Sequence, residues 1–212
     1  MAIKIIPSDG TVNGKTLKEF AKIYWQALCQ TPKSQNPAWQ NTGSKDDSFN
    51  KSVNADLYML SSSVDPQTAV TRDIEVPSGK GLFIPVVPVE VSEFETSSPL
   101  VGEANKDQAG IVPSSLSLEL DGSSIDINEL NRYNINPNDI GQFTVNFPPQ
   151  DAIFNTNNRS GPCNAVAAGR YVWTEPLSPG KHTVKHRGKL DVEGPAVEND
   201  FSEDITYNIN VR

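Results

Sequence analysis

Three carboxylates close one apolar run. Leu82–Val91 carries Glu90 as its penultimate residue, and Glu93 and Glu95 follow within five residues. Paired carboxylates are what glycosidases use. One, raised in pKa, acts as the acid, and the other stays ionised as base or nucleophile. On a strand, Glu93 and Glu95 would share one face and Glu90 the other. No motif demands a cofactor. Calcium is the one ion this stretch could take, because calcium accepts about six to eight oxygens in flexible geometry. EF-hand spacing is absent, so such a site would be irregular. Arg72 lies on a candidate neighbouring strand and suits a structural pair with a carboxylate. Trp39, in a polar stretch, suits either a ligand platform or a ring that pins its loop to the core.

His182 and His186 are the only histidines. Four residues apart on a strand, they point to one face about 13 Å from each other, too far to share a metal. His182 reads as a turn–strand hydrogen-bonding residue and His186 as exposed. Cys29 and Cys163 lie far apart in the chain and read as unpaired, with Cys163 in a Gly/Pro loop that offers it no histidine partner. Gly-x-Ser-x-Gly elbows, P-loops and dinucleotide fingerprints are all missing.

Composition narrows the classes further. The chain has 212 residues, with 18 Lys plus Arg against 26 Asp plus Glu and a net charge of −8. That length suffices for a real core. Between Glu90 and Glu129 stand nine acids and one base, Lys106, so this stretch holds the whole net charge. An acidic chain without a basic stripe does not suit nucleic acid. Two cysteines cannot make a disulfide-dense scaffold, and no apolar run approaches the roughly 20 residues of a membrane span. The start, Met1–Pro7, lacks an apolar segment of signal-peptide length. If that N-terminus is native, it fits a cytoplasmic chain.

One segment reads as a helix, at about 16–30. Thr16 and Glu19 fit a capping box. Leu17, Phe20, Ala21, Tyr24 and Leu28 recur at helical spacing, and Thr31-Pro32 ends the run. Residues 31–54 read as a polar loop. Strands follow at Leu57–Ser62 and Thr68–Val76, the latter closed by a Pro/Gly turn. Leu82–Val91 is apolar on both faces, which predicts a strand covered on both sides. Its Pro85 and Pro88 require a bulge or an edge. Residues 92–113 read as an acidic loop. Ser115–Leu120, Asp121-Gly122 and Ile125 read as a hairpin. Phe143–Phe147 alternates as a strand, and 155–169 reads as loop. Arg170–Trp173, His182–Arg187 and Ile205–Val211 complete the set.

Several pieces together resemble an uncharacterised, mostly secreted bacterial family. They are Tyr24-Trp25, Asn36-Pro37, Thr42-Gly43 and Arg72 with Val76-Pro77-Ser78-Gly79-Lys80. Ser117-Leu118-Glu119-Leu120-Asp121-Gly122, Pro176-Leu177-Ser178-Pro179-Gly180-Lys181-His182 and Thr206-Tyr207 continue the pattern. The resemblance implies a secreted or cell-surface protein and brings no established activity. Two cysteines of the family pattern are absent, at Ser44-Lys45-Asp46 and at Ile74, so its framework disulfide is missing here.

The sequence therefore predicts a mainly β protein. It reads as one domain over residues 1–212, an antiparallel, jelly-roll-like β-sandwich over about 55–212 with one N-terminal helix. The expected function is a non-catalytic binding or surface-interaction module with carbohydrate, matrix or protein as partner. The alternatives are a carboxylate-dependent hydrolase and a subunit of a homo-oligomeric assembly. The ligand-binding candidates are Trp39, Arg72, Glu90, Glu93 and Glu95.

Overall fold

The structure, a computed structural model, describes residues 3–39, 42–53, 55–64, 69–154, 156–191 and 201–212. The first long element is helix α1, Leu17–Gln30. Glu19 N–H donates to Thr16 Oγ1, and Thr16 N–H donates to Glu19 Oε2 at 2.7 Å, so each side chain satisfies an orphan amide of the first turn. Leu17, Phe20, Ala21, Tyr24, Trp25, Leu28 and Cys29 are its buried residues. After Thr31-Pro32 the chain makes two short 3-10 turns, Lys33–Gln35 and Pro37–Trp39.

Helix α2, Ser44–Val53, occupies what the sequence predicts as loop. Its composition, SKDDSFNKSV, has one fully buried apolar residue, Phe49, with Val53 half-buried against the core at its end. So short a stripe leaves no periodicity to read. Helix α3, Leu100–Ala109, likewise replaces the second half of the predicted acidic loop, with only Leu100 and Ala104 buried. Two short helices follow, α4 at Ile127–Asn131 and α5 at Pro137–Ile140.

Among the described residues, ten strands make two five-stranded sheets. In the first, β1 (Tyr58–Met59), β3 (Leu82–Ser92), β8 (Gly161–Trp173) and β6 (Asn134–Ile135) lie in that order, and β7 (Phe143–Phe147) also pairs with β8. In the second the order is β2 (Val70–Val76), β10 (Phe201–Val211), β9 (Gly180–Leu190), β4 (Ser117–Leu120), β5 (Ser123–Ser124). Thr68, where the predicted second strand begins, lies outside the described residues. The predicted mainly β class holds, but the sheets are mixed rather than purely antiparallel. β1 runs parallel to β3, and β2 runs parallel to β10 over seven residue pairs, Val70↔Ile205 to Val76↔Val211. Neither sheet closes into a barrel.

The apolar β3 is covered on both faces, as its sequence predicts, and its bulge is real. Val86 pairs with Arg170 and Val89 with Ala168, so Val87 and Pro88 together face Gly169. Val87 takes φ 49°, an uncommon state for a β-branched residue. Gly169, at φ 110°, has no room for a Cβ beside the Val87 carbonyl and Pro88. Beneath the bulge, the Val87 side chain occupies the space a Cβ on Gly188 of β9 would need. The two prolines are tolerated because β1 pairs with β3 only at Leu82 and Phe83, which leaves their missing amides unclaimed on that side.

The central strand of the first sheet, β8, begins at Gly161 inside the predicted 155–169 loop. Ala165, Ala167 and Ala168 are fully buried there. Small side chains let α1 and the neighbouring sheet approach, and they also remove the β-branched signal that would mark a strand. On the α1 side the packing is aromatic. Phe20 meets Trp173 edge-on at 5.8 Å, Phe83 stacks on Tyr171 at 5.5 Å, and Trp25 Nε1–H donates to Tyr171 Oη at 2.7 Å.

Candidate functional site

The three glutamates separate into a pair and a single residue, but not as strand alternation predicts. The strand ends at Ser92. A turn then folds back, with Glu95 N–H and Thr96 N–H donating to Ser92 O at 3.0 and 3.3 Å. Period-two alternation stops at that turn, so Glu95 returns to the face of Glu90 and Glu93 is left outside. Exposed Glu93 accepts from the Asn164 amide at 2.9 Å and from Asn164 Nδ2 at 3.0 Å. These two bonds, the backbone one first, hold its carboxyl below the usual range.

Glu90 is buried under α1 opposite Ala167. Among the described residues no amide or hydroxyl donor reaches either of its carboxyl oxygens. Its polar neighbours are the carboxyl of Glu95 and the thiol of Cys29. Glu95 accepts from Ser92 N–H at 3.1 Å and from Ser92 Oγ at 2.5 Å. Burial first, and the like charge of Glu95 second, push Glu90 well above the usual carboxylate range. Burial also raises Glu95, against the opposing bonds from Ser92. Cys29 and Cys163 are buried and unbridged. Burial and the nearby Glu90 raise both thiols, Cys163 to about 11. Cys163 sits on β8 rather than in the predicted loop, and a thiol so raised is a poor nucleophile.

Arg72 belongs to a second buried cluster, and it lies on the other sheet from Glu90. Its guanidinium is fully buried. Nη1 donates to Ser61 O at 2.7 Å and to Tyr207 Oη, and Nη2 donates to Ser62 O at 3.4 Å. Tyr207 Oη accepts from Ser61 N–H at 2.9 Å and donates to Ser61 O at 2.8 Å. Burial opposes the charge on Arg72, and Tyr207 and buried Asp46 outweigh it, so its pKa lies above the usual value. Beside this group, Glu203 accepts from Val87 N–H at 2.9 Å and from Ser62 Oγ, and stands 3.1 Å from His186 Nδ1. His186, expected to be exposed, is fully buried with its ring stacked on Tyr207. The cluster ties β3 of one sheet to β10 of the other.

His182 makes the turn–strand contacts its position predicts. Nδ1 is 2.7 Å from Asp121 Oδ2 and Nε2 is 2.9 Å from Ser178 O. Trp39 is the exposed large hydrophobic side chain of the described residues, with Lys33 Nζ 3.5 Å from its ring centroid. A ring so placed does not pin its loop to the core.

The outer face of the second sheet is open to solvent. Its strands bury alternate residues, and the outward set includes Thr71, Asp73 and Glu75 on β2, Thr206, Asn208 and Asn210 on β10, and Lys181, Thr183, Lys185 and Arg187 on β9. The outward charges are largely paired across strands, Arg187 with Asp204 at 2.9 Å and Lys185 with Glu119 at 3.4 Å. Towards the Arg212 end, where Arg212 pairs with Glu75, amides and a hydroxyl join the charged groups. Asn208 Nδ2 donates to Asp73 Oδ1 at 2.9 Å, and Asp73, Lys181, Thr183, Asn208 and Asn210 line a shallow recess of about 620 Å³. None of these residues is among the sequence candidates. The signal for them was the unusual polar half of Ile205–Val211, which carries Thr and Asn where an ordinary solvated strand face carries Lys and Glu.

Among the described residues, no helix is long and apolar enough to cross a membrane, and no group of three or more His, Cys, Asp or Glu side chains is placed to hold a metal ion. No family model and no curated protein matches the chain. Among solved structures it is similar to PbICP-C, solved in complex with falcipain-2, at 11% identity over 74% of this chain and 100% of that chain, with a TM-score of 0.29. It is also similar to Amebosin in solution, at 11% identity over 69% and 99% of the two chains, with a TM-score of 0.21. At such TM-scores neither likeness carries an argument about fold or function.

Proposed function

We propose that this chain is a non-catalytic binding module that takes carbohydrate on the outer face of its second sheet. The supporting observation is the recess around Asp73, Thr183, Asn208 and Asn210. Each sugar hydroxyl is both donor and acceptor. A carboxylate oriented by an amide 2.9 Å away, flanked by a further amide and a hydroxyl, offers both kinds of partner in a fixed array. Strands hold those groups more rigidly than loops would. The residues that could do acid–base chemistry are already committed elsewhere: Glu93 to Asn164, His182 to Asp121 and Ser178, and Glu90 to a buried site under α1. The jelly-roll-like sandwich expected from the sequence is the scaffold this reading assumes, and two sheets meeting through Val87 and Glu203 support a layered core.

A glycan array followed by titration calorimetry tests the reading. Asp73→Ala and Asn208→Ala should each abolish the binding of any glycan that the native chain retains, with the fold unchanged by circular dichroism. Failure of the native chain to bind any glycan, or binding that survives both substitutions, overturns it.

A further inference from the structure

Glu90 is at odds with its surroundings. It is an acid with about nine-tenths of its surface buried, and no amide or hydroxyl reaches its oxygens. The titratable groups that face this site come from four elements. They are Cys29 on α1, Cys163 and Tyr171 on β8, Glu95 in the turn after β3, and Asp107 on α3, which acts on Glu95. All are acids, and none can neutralise a carboxylate. Two carboxyl groups can meet without a base only if a proton lies between them. The bonds around them show which oxygen is the acceptor. Glu95 already receives Ser92 N–H and Ser92 Oγ–H, as an ionised carboxylate does. The proton therefore belongs to Glu90, the buried carboxyl that no amide or hydroxyl reaches, with Glu95 and the Cys29 thiol as its polar neighbours.

We propose that this cluster is a proton-operated latch. One proton on Glu90 joins β3 to its following turn and seats the Cys29 end of α1 over them, and its loss to solvent as pH rises loosens that end of the helix. The released proton leaves a second carboxylate, Glu90, buried beside half-buried Glu95 with no counter-ion. The least disruptive way to rehydrate them is to lift the last turn of α1, where Cys29 lies two residues before Thr31-Pro32 ends the helix. Capping and aromatic packing hold the other end of α1 through Thr16 and Phe20, and neither contact titrates in this range.

The sign follows from the direction of the shift. The pKa of Glu90 in the folded chain is raised above its unfolded value. The contribution to stability is therefore complete below the usual glutamate range and is lost as pH rises through the folded-state value. Thermal melts of the native chain between pH 5 and 9 should show a midpoint falling by about 3–5 °C for each pH unit in that window. Glu90→Gln is neutral, matches the protonated acid in shape and keeps a donor for Glu95, so its midpoint should stay flat over the same window and exceed the native one at pH 8.5. Glu95→Gln removes the like charge and should lose much of the slope as well, which keeps the test open if one variant folds poorly. Alkylation of Cys29 by iodoacetamide, mapped by mass spectrometry, separates local loosening from global unfolding. Cys29 should be modified faster in the native chain than in Glu90→Gln at pH 8.5, and at equal rates at pH 5. Parallel melting curves for the native chain and both variants, or equal Cys29 rates at pH 8.5, would overturn the latch.

Discussion

Two clusters of buried polar groups lie in this molecule, and their charge arrangements are opposite. Between the sheets, Arg72, Asp46, Tyr207, Glu203 and His186 combine a cation, acids and hydrogen-bonding neutral groups, and the Arg72 and Glu203 side chains are met by backbone or hydroxyl partners. Under α1, Glu90, Glu95, Cys29 and Cys163 are all acids. Arg72, Glu203 and Glu90 are all buried, so burial alone does not separate the two clusters. In the first cluster a cation and hydrogen-bond partners around Arg72 and Glu203 replace much of the lost water. In the second, Glu90 is satisfied only while it holds a proton, because no base, amide or hydroxyl nearby replaces its lost water.

The comparison breaks most sharply at Arg72. Arg72→Leu removes the cation and leaves Asp46 and the Ser61 and Ser62 carbonyls without it, so urea melts should show a loss of about 3–5 kcal/mol. Survival of full stability would mean that the guanidinium contributes nothing net. Glu203→Gln comes next. It keeps the volume but turns one acceptor oxygen into a donor facing Val87 N–H or Ser62 Oγ, at a cost of about 1–3 kcal/mol. The same change of type at Glu90 has the opposite sign at alkaline pH, and finding equal losses at the two sites would erase the distinction. The smallest effect belongs to Glu93, three residues from Glu90 but exposed. Glu93→Gln should lower the melt slightly at pH 8 and match the native chain at acid pH, where the carboxyl is protonated in both states. A carboxyl held below its usual range stabilises the fold above that range, and the gain is lost as pH falls through the folded value. Melts of this variant between pH 2.5 and 5 check the direction.

Much of the fold was legible where a periodic apolar signal met a stop signal. Thr16 with Glu19, the α1 stripe and Pro32 placed a helix that the structure bounds at Leu17–Gln30. Phe143–Phe147 and the Asp121-Gly122 hairpin were equally direct, the latter with φ of 48° and 78° at its two turn residues. Elements docked by one or two apolar residues, such as α2 by Phe49, were silent. So was β8, whose alanines serve close approach rather than strand propensity. Parallel pairing of β2 with β10 could not be read, since register between distant strands leaves no local mark. The candidate site was legible only in part. Glu90 and Glu95 stood out by type, but their meeting depends on a turn at Ser92 that reverses the expected faces. Arg72 and His186 stood out as polar, and only tertiary structure reveals that both are interior.

The pairing of β2 with β10 also sets an order of events. Arg72 lies opposite Tyr207, 135 residues later in the chain. Contacts so distant in sequence form late, since a long loop must close before they are rewarded. On a ribosome, the first sheet and α1 can assemble from residues up to Trp173 while β2 still lacks its neighbour and Arg72 still lacks the Tyr207 hydroxyl. The exposed edge of β2 and an unmatched guanidinium then persist until the final strand emerges. Nascent chains stalled before residue 201 should therefore be the form of this protein most in need of a chaperone.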